Sequence, residues 1–253
     1  MLIDTHCHLN FPDFEKDLDQ VIKNSLNASV EKIINVGADL NSSQKAIEIA
    51  QKYESCFAAV GIHPHHADKI EKGWEEKLKD LAKQPKVVAI GEIGLDYYEY
   101  ESNGIVDPEI QKEIFSKQMG IAQKLKLPVI FHSRESANEM FSLIKPPTTG
   151  VFHCYAAGKR GIEKVINLGL FFGLDGNLTY DQGLQIVAQK IPLERIILET
   201  DSPLLTPIPF RGQRNEPKNV TLICECLAKI KGVSQEEVAQ ITSQNANNLC
   251  SFP

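Results

Sequence analysis

LIDTHCHLNF, residues 2–11, is the stretch whose reading decides the architecture. It opens as an apolar strand. Where a doubly wound nucleotide-binding sheet would then place a glycine-rich phosphate loop, it carries Asp4, His6 and His8. Side chains alternate faces along a strand, so His6 and His8 point one way and Cys7 the other, toward packing. A His-x-His pair also occurs in ordinary half-exposed strands, so the run alone does not separate metal ligands from structural histidines.

The composition narrows the possibilities. With 253 residues, 42% hydrophobic and 24% charged, the chain is that of an ordinary soluble globular protein rather than a disordered one. Its longest apolar runs, IILE near Ile196 and PVIF near Val129, fall far short of the roughly 18 residues of a membrane span. The N-terminus lacks the basic and apolar regions of a signal peptide, so a cytoplasmic protein without membrane attachment is expected. Six scattered cysteines without Cys-x-x-Cys spacing read as reduced and structural. A net charge of -6 argues against a protein that coats duplex DNA by bulk electrostatics.

Short apolar runs alternate with amphipathic segments along the whole chain, the pattern of parallel strands with helical crossovers. Strands are predicted at 2–8, 32–37, 56–63, 87–94, 128–133, 150–155, 170–176 and 195–201. Helical periodicity between them includes Phe14, Leu18, Val21 and Ile22, then Ile110, Ile114, Phe115, Ile121, Ala122 and Leu125. Ser234 with Glu237 has the form of a capping box for a final helix. Eight βα units close most simply into an α/β (β/α)8 TIM barrel, a single domain over residues 1–253, with functional residues at the C-terminal ends of its strands.

Reading those ends adds Glu92, His132, His153 and Asp201 to His6 and His8. An ionised carboxylate in the apolar run VVAIGEIG, or in RIILETD, needs a partner or a metal. Four imidazoles and two carboxylates exceed the needs of one tetrahedral ion. Two divalent ions roughly 3.5–4 Å apart are expected, with Glu92 bridging. His6, His8 and Asp201 would complete one site, and His132 and His153 the other. Zn, Mn, Co, Ni and Mg are the candidates, the nitrogen-rich shell suiting the first four better. Activated water would attack a phosphodiester in line, Asp201 orienting it and accepting its proton.

The ordered motifs DTHCHL (4–9), GIHPH (61–65), GEIGLDY (91–97), PVIFHSR (128–134), FHCY (152–155), ETDSP (199–203) and RNEP (214–217) resemble those of the TatD family of metal-dependent hydrolases, within the amidohydrolase superfamily. The resemblance implies a distorted TIM barrel, a dinuclear centre and nuclease activity of the 3'-5' exonuclease type. It assigns metal ligation to His6, His8, Glu92, His132, His153 and Asp201, with Asp201 and Glu92 catalytic. The expected partner is a nucleic acid, most simply a DNA end, since a pocket in a barrel mouth admits a strand end more readily than continuous duplex. No obligate protein partner is expected. The alternative is an amidohydrolase-type enzyme for a small ester, amide or lactone; such enzymes often carry a carboxylated lysine where this chain has Glu92.

Four residues are expected to touch substrate: His63 at the end of the third strand, Arg134 two residues beyond His132, Tyr155, and Arg214 in the RNEP loop. Lys159 and Arg160 extend the rim, Asp96 orients a ligand from behind, and His65 and His66 are expected in solvent. Two departures from the family pattern stand out. Ala156 and Ala157 follow Tyr155 where a small hydroxyl residue is usual, and Asp175 in GLDGNLTY occupies a commonly neutral segment.

Overall fold

The apolar runs fold, in a computed structural model describing residues 1–101 and 104–252, into eight parallel strands: β1 Leu2–Cys7, β2 Val30–Val36, β3 Cys56–Val60, β4 Val87–Asp96, β5 Val129–Arg134, β6 Gly150–Phe152, β7 Phe171–Leu174 and β8 Ile196–Leu198. They lie in sequence order. The ends of the sheet meet. Cys7 bridges Ser202 in parallel, Thr5 Oγ1 donates to Leu198 O at 3.0 Å, and the Asp4 carboxylate accepts from Thr200 N at 2.9 Å and Thr200 Oγ1 at 2.6 Å. This is the expected (β/α)8 barrel.

Eight helices alternate with the strands: α1 Leu18–Asn27, α2 Leu40–Lys52, α3 Trp74–Ala82, α4 Pro108–Leu125, α5 Ala137–Leu143, α6 Gly158–Asn167, α7 Gln182–Lys190 and α8 Val220–Lys231. A ninth, α9 Gln235–Leu249, begins at Ser234, whose side chain accepts from Glu237 N. An apolar cluster with members from seven strands, among them Ile3, Ile34, Ala89, Ile130, Val151 and Ile197, fills the barrel interior; Leu249 and Cys250 pack against it. The larger cluster, including Ile33, Ala58, Phe131 and Phe172 with Ile47, Ile114, Val165 and Ile223, lies between strands and helices. Cys7 belongs to this outer layer, as alternation predicts.

Two strands change register on their way to the mouth. From Asp4 to Cys7, β1 advances three residues while β2 advances two, from Ile33 to Asn35. Likewise β4 runs from Ile90 to Ile93 while β5 runs from Val129 to Phe131. Each extra residue is a bulge that reverses which parity faces inward. Below the bulges Ile3 and Ala89 fill the interior; above them His6, His8 and Glu92 do. Gly91 makes the second bulge possible, because a Cβ there would lie 2.5 Å from Ile130 Cβ.

β6 and β8 stop short of their expected ends. Cys154 and Asp201 turn into the left-handed region, with φ of 43° and 53°, so His153 and Asp201 project from the loops just beyond. At the opposite end of the barrel Lys86 gathers the carbonyls of Ala50, Tyr53, Glu54 and Cys56, its Nζ lying 2.7–3.3 Å from them. One ammonium thereby satisfies acceptors left over where α2 ends and β3 begins.

Candidate metal centre

All six expected ligands converge inside the mouth. Asp201 Oδ1 lies 3.4 Å from His8 Nε2, 3.7 Å from His6 Nε2 and 3.8 Å from His153 Nε2. The Glu92 carboxylate faces both halves of the cluster. Its Oε2 is 3.6 Å from His6 Nε2, while its Oε1 is 2.5 Å from His132 Nδ1 and 3.6 Å from His153 Nε2. His6, His8, Glu92 and Asp201 are buried, and His153 is 6% exposed.

Each ring turns one nitrogen inward, and two of the four hydrogen-bond an acceptor through the other, while a third has a carboxylate close by. His8 Nδ1 donates to Val36 O at 2.9 Å, and His132 Nε2 donates to Asp96 Oδ2 at 2.9 Å. Glu199 Oε1, which accepts from Cys154 N at 2.6 Å, lies 3.0 Å from His153 Nδ1. A proton held on the outer nitrogen leaves a lone pair on the inner one, the arrangement a ligating imidazole needs. His6 Nδ1 and His153 Nδ1 are buried without a hydrogen-bond partner among the described residues.

The donor set fits divalent metal. His6, His8 and Glu92 offer three atoms within 4.8 Å of one another, and so do His6, His153 and Asp201. His6 Nε2 and His8 Nε2 stand only 3.2 Å apart, a contact between inward nitrogens that a shared cation satisfies. The protein's own charges are strongly coupled here. Burial pushes Glu92 up, but His153, His132 and His63 outweigh it and hold the carboxyl well below its usual range. Burial lowers His132 and His153, yet Glu92 with Asp96 brings the first to about 9, and Glu199 with Glu92 brings the second to about 10. For His6 burial prevails, reinforced by His153, and its pKa falls well below normal.

Of the expected substrate contacts, His63 is at the site, its Nε2 3.8 Å from Glu92 Oε1 and its ring 4.3 Å from that of His132. Arg134 lies on the rim. Its guanidinium stacks on Tyr98 at 3.9 Å and donates to Tyr100 Oη at 2.8 Å. The other two are engaged elsewhere. Tyr155 is 3% exposed, donates to Gly158 O at 2.8 Å and packs edge-on against Phe172. Arg214 spends its fork on Asp17, at 2.8 and 2.7 Å, with Glu216 at 3.2 Å.

Two residues join the cluster that the sequence reading left out. Glu199 is fully buried beside His153, just beyond the end of β8; its carboxylate in the apolar run RIILETD is the signal that could have found it. The space for its carboxylate comes from Gly173, where a Cβ would lie 2.5 Å from Glu199 Oε1. His65, expected in solvent, instead places Nε2 3.5 Å from Asp96 Oδ2 and packs on Tyr100. Its spacing from His63 repeats that of His6 and His8. Asp175 lines a cavity of about 350 Å³ beside Cys154 and Tyr155, and burial pushes its carboxyl up to about 6 against bonds from Cys154 and Asn177 N.

Comparisons with known proteins agree with this architecture. Residues 3–251 match the family model described as TatD related DNase. The chain is 36% identical over 257 residues to the uncharacterized metal-dependent hydrolase YabD of Bacillus subtilis, covering 98% of each chain. It is 34% identical over 260 residues to the 3'-5' ssDNA/RNA exonuclease TatD of Erwinia tasmaniensis, covering 98% of this chain and 99% of that one. Among solved structures, the TatD homolog YjjV of Escherichia coli superposes with a TM-score of 0.91 at 30% identity, over 100% of this chain and 98% of that one.

Proposed function

Because the chain belongs to the TatD related DNase family of metal-dependent hydrolases, we propose that it removes nucleotides from single-stranded nucleic acid ends by metal-dependent phosphodiester hydrolysis. The observation that carries this reading is the convergence of four inward imidazole nitrogens and two buried carboxylates at the C-terminal ends of the barrel strands. That number of donors suits two divalent ions, with Glu92 between them. His6, His8 and Asp201 would hold one and His132 and His153 the other. When bound, such ions polarise a phosphoryl oxygen and make water a nucleophile near neutral pH.

The side chains supply the rest. Asp201, reached by three imidazoles but hydrogen-bonded through its side chain to no backbone amide among the described residues, orients the attacking water and takes its proton. His63 lies toward the His132 half and holds a non-bridging phosphate oxygen. Arg134 meets the phosphate beyond it, its planar fork suited to an oxyanion. Tyr155 and Arg214 have no part in this scheme, since internal contacts occupy them.

The test is to incubate metal-loaded protein with end-labelled single-stranded DNA, duplex DNA, RNA and a panel of small esters and amides, with and without chelator. Stepwise, chelator-sensitive shortening of the single strands is expected. Hydrolysis confined to a small ester or amide would overturn the reading.

A further inference from the structure

Nine large apolar side chains are exposed among the described residues, and five of them, Tyr98, Ile105, Leu204, Ile208 and Phe210, sit on the loops that follow β4 and β8. In an eight-stranded barrel ordered β1 to β8, those two strands stand opposite one another. Their loops therefore face each other across the mouth, with the ligand cluster between them. The exposure belongs to a rigid loop. Leu204 N bonds Asp201 O at 2.9 Å, Asn215 Nδ2 holds Thr200 O and Leu204 O at 2.9 and 2.7 Å, and Ile208 N bonds Thr179 Oγ1 at 3.0 Å. Leu204, at 54% exposed, is thus one turn from Asp201, and Phe210 stands 41% exposed farther along the same loop.

Each rim also presents an arginine over the face of a tyrosine: Arg134 Cζ is 3.9 Å from the Tyr98 ring centroid and Arg211 Cζ 4.1 Å from that of Tyr180. Among the described residues no carboxylate forms an ion pair with either guanidinium, unlike Arg214, which Asp17 neutralises. In a chain of net charge -6, these are uncompensated cations placed beside apolar surface. A partner matching both features needs anionic groups and flat apolar faces in alternation, and must pass through the mouth. A single nucleic acid strand has that chemistry, and base stacking with cation contacts is how such strands are held without sequence readout.

We propose that the β4 and β8 rims form a stacking platform that grips the bases on either side of the scissile phosphate, with Phe210 and Leu204 the contacts on the β8 side. This rests on the nuclease reading above and adds to it the surface that selects a single strand over any smaller phosphodiester. The test compares kcat/KM for a short single-stranded oligonucleotide with that for the same strand made abasic throughout, which keeps the phosphates and has no base to stack. In Phe210→Ala the ratio falls about 5- to 140-fold, the loss expected for one base stacked on an aromatic ring; Leu204→Ala, which removes apolar contact but no ring, lowers it less, and Phe210→Tyr restores it. Abasic residues beside the scissile linkage slow the wild type but make no further difference to Phe210→Ala.

An unchanged ratio in variants that melt like the wild type overturns the platform while leaving the nuclease intact. So does a dimer in sedimentation that Phe210→Ala dissolves, which would assign the patch to a second copy. Absence of chelator-sensitive hydrolysis of any nucleic acid by the wild type overturns the nuclease reading itself, and the platform with it.

Discussion

Asp96→Asn should weaken metal binding although it changes one atom and touches no donor. The Asp96 carboxylate is fully engaged: Oδ1 accepts from Tyr98 N at 3.0 Å, and Oδ2 from His132 Nε2 at 2.9 Å and Tyr100 Oη at 3.0 Å. In the asparagine the carbonyl oxygen must stay on Tyr98 N, because an amide nitrogen cannot accept. Its NH2 then points at His132 Nε2. Two donors cannot share that contact, so the imidazole shifts its proton to Nδ1, which lies 2.5 Å from Glu92 Oε1. The nitrogen that should face the metal becomes a donor to Glu92 instead. Flipping the amide avoids this only by leaving Tyr98 N without its acceptor, at a cost of about 1–3 kcal/mol. Loss of such an outer partner typically costs 10- to 100-fold in metal affinity, about 1.4–2.7 kcal/mol, so the two routes lead to the same range. Competition for Zn between metal-free protein and a chromophoric chelator measures it. Tyr100→Phe is the control: it removes one hydroxyl from Asp96 but leaves the His132 contact, and should bind nearly as the wild type does. Wild-type affinity in Asp96→Asn, or an equal loss in Tyr100→Phe, would refute the argument.

Asp201→Asn should cut turnover by about 10²- to 10⁴-fold, the usual worth of a general base, with little change in melting temperature; activity within a few-fold of wild type removes Asp201 from that role. Asp175, pushed up to about 6 by burial, binds its proton more tightly in the folded chain than in the unfolded one, where an ordinary carboxyl titrates near 4. The stability it confers is complete below about pH 4 and is lost as pH rises through 6. Asp175→Asn carries no such proton, so it should gain on the wild type across that window by on the order of 2–3 kcal/mol in urea melts; parallel pH curves would contradict this. Lys86→Met strips a charged donor from four carbonyls and should cost about 1.5–3 kcal/mol, read as a lower urea midpoint with an unchanged slope.

The convergence of the six candidate side chains was legible because imidazoles and carboxylates at apolar strand ends are costly to bury unless a partner or a metal compensates them. The fold was legible for a related reason: the same runs that end in ligands are the runs that alternate with helices. What stayed hidden depends on contacts between strands. The bulges in β1 and β4 leave no mark in composition, yet they let apolar residues fill the floor of the barrel while ligands line its mouth. Glu199 looked like part of a strand because the end of β8 at Leu198 is set by the turn that Asp201 makes, three residues on. Tyr155 and Arg214 carry the right chemistry, but Gly158 O and Asp17 claim them, and such local partners appear only once the loops have folded. His65 erred in the other direction, a loop residue drawn in by Asp96.

The seam between β1 and β8 joins residues separated by 193 to 196 positions. His6 and His8 stand on one side of it and Asp201 on the other, so a cation held by all three is a clasp between the beginning of the barrel and its last strand. Such a site cannot be assembled by any fragment. A chain emerging from the ribosome presents His6 and His8 well before Asp201, which follows His8 by 193 positions, and must then close the barrel before the three side chains meet. Metal binding by these three side chains therefore reports on closure of the whole barrel. Any opening of the seam, by heat or by a destabilising substitution, parts His6 and His8 from Asp201.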